Sequence, residues 1–303
     1  LPLFFIKKIG QMSVKSLLYL AAAGILLAAC GTSYEKKIQA LESQIAQSAD
    51  PKAVAELTAV YQEAAKAHPD RHADNARYLT RAAELKFVHE RDNVGAVRLA
   101  AAAIKEHGAQ ADVADAAGLL ARIWRLYKNR ATPDLSRNPD EIDLMRFTLE
   151  QNTRWLDSCL ARLDRQLLAA NEPDRALAEK FIQTAEGYAI LLESPDPNKA
   201  ASLYAQAAGL ARSIGEPNTA LRLYYYVAEN MPQQRSAPLA LFMMGIIYED
   251  DLKDMDRAKQ TYEDFLKRYP NDPEYTDDVQ AALKNLGTPL EELIKRFEQN
   301  KVQ

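Results

Sequence analysis

The sequence is poor in the residues that make staples, sheets and tight turns. Its 303 residues include two cysteines and 11 glycines, the latter about half the usual share. Two cysteines cannot hold a disulfide scaffold together. Valine, isoleucine and threonine together number only about 35, against about 50 alanines, so the composition favours helix and argues against an all-β or doubly wound sheet protein. An excess of basic charge is missing too. Lys and Arg total 38 against 42 Asp and Glu, for a net charge of -4, and the basic footprint of a nucleic-acid-binding protein is therefore absent. A hydrophobic share of 48% with so low a net charge excludes a wholly disordered chain. No GxSxG, HExxH, P-loop or GxGxxG motif occurs. The length suits one or two compact domains or one array of repeats.

Long apolar runs are also lacking, with one exception at the start. Residues 16–29, SLLYLAAAGILLAA, follow Lys15 and end in small residues. That run is too short to span a bilayer and has the layout of a secretory signal peptide. Met12 is the expected translation start, which makes residues 1–11 an upstream extension; the alternative is that Leu3-Phe4-Phe5-Ile6 lengthen the signal. The run closes on Leu27-Ala28-Ala29-Cys30, followed by Gly31. These four residues resemble the lipobox of bacterial lipoproteins. The resemblance implies cleavage by signal peptidase II just before Cys30, a thioether-linked lipid on that sulfur, and fatty acyl chains such as palmitate. Cleavage would remove Lys7, Lys8 and Lys15, taking the basic count from 38 to 35 against 42 acidic residues, a net charge near -7. Anionic lipid would not attract such a surface, so attachment would rest on the acyl chains, at about 0.8 kcal/mol per buried methylene. Gly31 in place of Asp implies, by the sorting rule of enteric bacteria, an outer-membrane address rather than an inner one. The periplasmic face is expected rather than the cell surface.

From Ser33 onward apolar residues recur at helical spacing, with breaks every 15 to 25 residues at Pro, Gly, Asn or Asp. The expected helices cover 34–48, 51–67, 73–89, 93–107, 111–129, 139–169, 173–193, 197–213, 217–230, 236–250, 254–269, 273–286 and 289–300. The fold class is all-α. Within the array a spacing of 4, 3, 5 recurs: Ala258, Tyr262, Phe265, Pro270; Ala220, Tyr224, Val227, Pro232; Leu57, Tyr61, Ala64, Pro69; and, more weakly, Ala96, Ala100, Ala103 with Gly108. Gly245 and Tyr248 precede the first of these. The pattern resembles the second helix of a tetratricopeptide repeat (TPR), and implies a TPR-like α-solenoid of antiparallel helix pairs. Steps of 39 and 38 residues between copies exceed the ideal 34, so the repeats are degenerate. The expected organisation is a signal peptide over 1–29, a lipidated tether over 30–33, an N-terminal TPR-like sub-array over 34–130, a linker and long helix over 131–171, and a C-terminal TPR sub-array over 172–303. The apolar stripe Ile142, Met145, Leu149, Leu156, Leu160, Leu163, Leu167 of the long helix would close one stack or form a dimer seam.

Candidate chemistry is sparse. His68 and His72 stand four apart but are separated by Pro69 at a helix end, so they are expected to be solvated loop residues rather than metal ligands. Cys159, the thiol left after lipidation of Cys30, is expected to pack in the core. The acidic turn Glu249-Asp250-Asp251 with Asp254 and Asp256 lacks the glycine and ligand alternation of an EF-hand loop. Glu193-Ser194 resembles the catalytic pair of peptidoglycan lyases without the downstream motif. No enzyme activity, cofactor or metal is expected.

What remains is surface. Aligning Gly245 with the central glycine of the TPR family implies that Leu239, Phe242, Met243, Ile246 and Glu249 face a partner groove, although the same spacing would serve core packing. Phe242 stands where the carboxylate clamp of chaperone-binding TPRs needs Asn. Of Tyr224-Tyr225-Tyr226, the first fills the repeat position, which leaves Tyr225 or Tyr226 for a partner, since successive helical residues point about 100 degrees apart. With its lipobox, size and segment 258–287, the chain resembles periplasm-facing TPR lipoproteins, among them that of the outer-membrane β-barrel assembly machinery. The implied partners are envelope proteins or peptides, and the membrane through the lipid, with no nucleic acid. Two alternatives stand beside this reading. Ile38, Leu41 and Ile45 follow a 3, 4 pattern resembling the short coiled coil of the Tol-Pal coordinator. A ligand-binding helical lipoprotein associated with an outer-membrane transporter would instead take a glycan or a peptide, a glycan stacking on Trp124 or Trp155.

Overall fold

Asp50-Pro51 shows how the chain starts its helices. The Asp50 carboxylate accepts from the N–H of Ala53 at 3.2 Å, and Pro51, which has no N–H to satisfy, takes the first helical position. Asp196-Pro197 repeats the device with the N–H of Lys199 at 3.0 Å. The computed structural model describes residues 33–170 and 174–288. Among the described residues there are thirteen α-helices and no strand. They are α1 (Ser33–Gln47), α2 (Pro51–Ala67), α3 (His72–Leu85), α4 (Asn93–His107), α5 (Ala114–Lys128), α6 (Pro139–Gln151), α7 (Thr153–Ala169), α8 (Arg175–Leu192), α9 (Pro197–Ser213), α10 (Pro217–Asn230), α11 (Ala237–Ile246), α12 (Met255–Arg268) and α13 (Thr276–Asn285). None of the described helices is long and apolar enough to cross a membrane. The leader, the lipobox Leu27–Cys30 and the helix expected over 289–300 lie outside the described residues.

The chain forms two compact units that divide between Gly187 and Tyr188, inside α8. The linker expected at 131–171 falls wholly within the first. There α1 packs on α2, α2 on α3, α3 on α4, α4 on α5 and α6, and α5 on α7. In the second unit α9 packs on α10, α10 on α11, α11 on α12 and α12 on α13. Both are all-α and TPR-like. The positions picked out by the 4, 3 spacing are core in all four copies: Leu57, Tyr61, Ala64 on α2; Ala96, Ala100, Ala103 on α4; Ala220, Tyr224, Val227 on α10; and Ala258, Tyr262, Phe265 on α12 are each 3% exposed or less.

A shared turn joins the two helices of a pair. Arg91 (φ 55), Gly215 (φ 74) and Lys253 (φ 57) adopt the left-handed backbone. Each is followed by an acidic residue at the helix cap, Asp92, Glu216 or Asp254, and five places on by the first core residue of the next helix, Ala96, Ala220 or Ala258. Asp92 and Asp254 accept from the N–H groups of Gly95 (2.7 Å) and Arg257 (2.9 Å). In two of the three, the incoming helix ends in a π turn, Lys86–Glu90 after α3 and Ile247–Asp251 after α11. These π turns replace the α-helical ends expected at 89 and 250.

The single helix expected over 139–169 is two helices. At Asn152 the backbone leaves the α region (φ -130, ψ 31), its N–H donates to the Leu149 carbonyl and its side-chain amide to the Thr148 carbonyl at 2.9 Å, so Asn152 ends α6 and precedes α7. The proposed seam is spent inside the first unit: Met145, Leu149, Leu156, Leu160 and Leu163 are buried there. Ile38, Leu41 and Ile45 are likewise buried, on the helix that packs against α2, which leaves no apolar seam for a coiled coil. The segment between α5 and α6 is anchored as well. Leu135 and Thr132 are buried, and Asp134 accepts from the Asn93 N–H (3.1 Å) and side-chain amide (2.8 Å).

Two substitutions probe this packing. A Cβ on Gly245 would lie 2.2 Å from the Tyr262 ring, so Gly245→Ala is expected to lower stability by about 2–3 kcal/mol in urea unfolding. Lys253→Gly removes the left-handed penalty of an L-residue, about 1–2 kcal/mol, against a smaller loss in chain entropy. The expected result is a gain of about 0.5–1 kcal/mol in the same measurement.

Candidate partner-binding surfaces

In the second unit α11 is apolar nearly all round, and the structure divides its faces. Ala237, Ala240, Leu241, Met244 and Gly245 are buried, while Leu239, Phe242, Met243 and Ile246, with Glu249 in the following π turn, are half-buried. Those five are the residues that the family alignment placed toward a groove. The Phe242 ring lies 5.8 Å from that of Tyr275 and 6.3 Å from that of Tyr262. Glu249 accepts from the Tyr262 hydroxyl at 2.8 Å. Burial first, then the Glu249 carboxylate, push that phenol far above its usual range.

Of the tyrosine triplet, Tyr224 is 3% exposed and Tyr225 56%. Tyr226 turns inward: its hydroxyl donates to Glu193 at 2.8 Å, beside the Tyr204 hydroxyl, which donates to the same oxygen at 2.6 Å. Burial and that carboxylate raise the Tyr226 phenol to about 12. Tyr225 is therefore the exposed member of the three, and Glu193 is occupied by two phenols.

The first unit holds a charged centre that sequence reasoning missed. Glu84 on α3 meets Arg81 one turn earlier on the same helix (3.4 Å), Arg122 on α5 (3.4 Å) and Lys180 on α8 (3.5 Å). Burial raises the Glu84 carboxyl, but the combined fields of Lys180, Arg122 and Arg81 outweigh it and bring it down to about 2. Arg122 is 5% exposed, its Nε has no acceptor, and its guanidinium lies 5.6 Å from the Phe87 ring. Nearby, Arg125 pairs with the buried Glu186 at 2.6 Å. The signal in the sequence was an arginine inside the apolar run of α5, GLLARIW.

The other candidates resolve into structure. Cys159 is fully buried beneath Gly118, and burial, then Asp115, push its thiol up to about 11; a thiol held so is packing rather than a nucleophile. The acidic turn is occupied by protein partners: Arg212 reaches Asp251 at 2.6 Å and Asp250 at 3.6 Å, while Asp254 caps α12 and pairs with Arg257. Among the described residues no group of three or more His, Cys, Asp or Glu side chains is placed to hold a metal ion. His72 does not join His68. Its Nδ1 lies 3.1 Å from Nδ1 of His107 at the end of α4, and burial lowers the His107 pKa. Trp124 is 4% exposed, and Trp155 is half-buried with Arg154 over its ring at 5.0 Å, so neither offers an open stacking platform for a sugar. An open basic hollow lies at the end of α5, lined by Tyr127, Lys128, Arg130, Pro133, Ser136 and Arg137.

A tetratricopeptide-repeat family profile matches residues 239–272. The matched span takes in most of α11, its π turn and α12, with Gly245, Ala258, Tyr262 and Phe265. The chain thus contains a TPR, a repeat that typically serves as a non-catalytic scaffold and mediates contacts between proteins. No curated protein matches the chain.

The buried titratable groups give a pH signature. A carboxyl held at about 2 stabilises the fold above the ordinary carboxylate range, and that stabilisation is lost as pH falls from about 4.5 toward 2. A histidine whose pKa is lowered also stabilises the neutral form, present above about 6.5 and lost below it. Urea midpoints measured from pH 8 to 2 are expected to fall in both windows. His107→Gln should reduce the fall in the upper window, to which His89 also contributes, and Glu84→Gln that in the lower, which Asp92 shares.

Proposed function

We propose that the chain is a lipid-anchored TPR scaffold of the bacterial cell envelope, which holds a partner polypeptide at the outer membrane on its periplasmic face. The observation that carries the scaffold reading is the matched repeat with its half-open row Leu239, Phe242, Met243 and Ile246. Apolar side chains presented at successive turns of one helix bind the apolar face of an incoming segment, and exposed Tyr225 adds an amphipathic ring of the kind enriched at interfaces. Support for the anchor comes from the sequence alone, in Leu27-Ala28-Ala29-Cys30 after the apolar run. A role in β-barrel assembly rests on the likeness of residues 258–287 to the TPR lipoprotein of that machinery. The reading needs no catalytic step and no cofactor.

Two measurements test it. Cys30→Ala is expected to move the protein from the membrane pellet to the soluble fraction; retention at the membrane removes the anchor. A photo-crosslinking residue at position 225, activated in intact cells, should capture an envelope protein of the barrel-assembly class. That capture should drop severalfold with Met243→Glu. Recovery of lipid alone removes the scaffold.

A further inference from the structure

Gly287 (φ 73) closes α13 with the left-handed backbone that Gly215 (φ 74) uses between α9 and α10. Thr288-Pro289 follows it as Glu216-Pro217 follows Gly215, a residue for the cap and a proline for the first helical position. The Gly215 turn lays α10 back on α9, so the sequence beyond Thr288 is expected to run back along α13. Its residues do not suit the usual place of a second helix. Five, nine and twelve positions after the left-handed residue stand buried core residues: Ala220, Tyr224 and Val227 after Gly215, and Ala258, Tyr262 and Phe265 after Lys253. After Gly287 the same positions hold Glu292, Arg296 and Gln299. The apolar residues Leu290, Leu293, Ile294 and Phe297 share a different helical face, which needs an apolar surface of its own.

In the same unit α11 has such a surface. Leu239, Phe242, Met243 and Ile246 are half-buried, and their spacing of 3, 1, 3 is also that of Leu290, Leu293, Ile294 and Phe297. A 3, 1, 3 stripe reads the same in either direction, so two of them match when their helices lie antiparallel, over about 10 Å each. The path is short. Both α11 and α13 pack on α12 and run opposite to it, and the ring of Tyr275, just before α13, lies 5.8 Å from that of Phe242. The far end of α13 therefore lies past the Ile246 end of the row, and a segment returning from there meets Ile246 first and Leu239 last. Charge agrees with that direction. Glu274, Asp277 and Asp278 are exposed near the start of α13 and Lys284 at its end, whereas the returning segment carries Glu291 and Glu292 first, then Lys295 and Arg296.

We propose that residues 289–300 are the resident occupant of the α11 row, and that a partner takes the row by displacing them. They lie antiparallel along it, with Leu290 near Ile246, Phe297 near Leu239, and Lys295 and Arg296 level with Asp277 and Asp278. The displacement rests on the scaffold reading. A segment tethered so close to its site acts at an effective concentration of roughly millimolar, so it shields the apolar row until a better-fitting partner competes.

A photo-crosslinking residue at position 243 of the full chain, purified in detergent and irradiated, reads the contact. The expected product is an adduct to residues 289–300 within one molecule, identified by mass spectrometry and migrating as a monomer. Ile294→Glu puts a carboxylate into the apolar contact and should cut that adduct about tenfold. It should also raise partner capture at position 225 in cells severalfold. Asp277→Lys with Asp278→Lys should weaken the adduct, and adding Lys295→Glu with Arg296→Glu should restore it, a rescue that loss of folding would not allow. An adduct that spares residues 289–300, one formed only between two molecules, or one indifferent to Ile294→Glu overturns the proposal. Loss of the adduct in Ile294→Glu with partner capture unchanged overturns the displacement. Absence of the internal adduct with continued capture at position 225 removes this occupant and leaves the scaffold standing.

Discussion

Close approach of helices over alanine and glycine is the constraint on which the packing depends. Ala96, Ala100 and Ala103 on one helix and Ala82 and Ala83 on its neighbour are fully buried, and a side chain with only a Cβ brings two backbones near enough for dispersion contacts along their length. Even a methyl group is excluded where Gly118 meets Cys159, where Gly187 meets Ala121 and where Gly245 meets Tyr262. A Cβ on Gly187 would stand 2.0 Å from the Ala121 carbonyl oxygen, and Gly245 gives its space to the Tyr262 ring. The scarcity of glycine and the wealth of alanine are two sides of this requirement.

Tight packing leaves little room for polar groups, and several of the tyrosine hydroxyls that remain inside are tied to carboxylates. Tyr61 donates to Glu42 and Tyr262 to Glu249, each from the same position of the second helix of a pair back to the preceding helix or its end. Tyr204 and Tyr226 share Glu193. Each ring fills the wedge between helices with its apolar body, while the hydroxyl finds an acceptor at the rim. The same acidic residues that gave the chain its negative balance thus serve as internal acceptors, which removes the need for a metal or catalytic role at Glu249 or Glu193.

Much of the fold was legible because its determinants are local. Helices 51–67, 93–107, 197–213 and 217–230 begin and end at the residues where Pro, Asp, Gly and Asn stand in the sequence, and the 4, 3 spacing located core positions in both units. The break at Asn152 was harder to read, since asparagine is tolerated within helices and only its hydrogen bonds to Thr148 and Leu149 reveal the stop. The row on α11 expected to face a partner was read from the repeat alone, and its half-burial follows from Gly245 fixing which side meets Tyr262. The Glu84 cluster was illegible for a different reason. Its members come from three helices separated by tens of residues, and nothing in the spacing of Arg81, Glu84, Arg122 and Lys180 announces that they converge.

The turn shared by Arg91, Gly215 and Lys253 bears on how much change of sequence this architecture tolerates. Its geometry is held by a left-handed residue, an acid at the cap and a small residue five places on, and the left-handed position is filled by arginine, glycine or lysine alike. The identities at these places drift from copy to copy. The conformation is indifferent to that drift. Degenerate arrays of this kind would be found more readily by asking where the backbone must reverse its hand than by asking which letters recur.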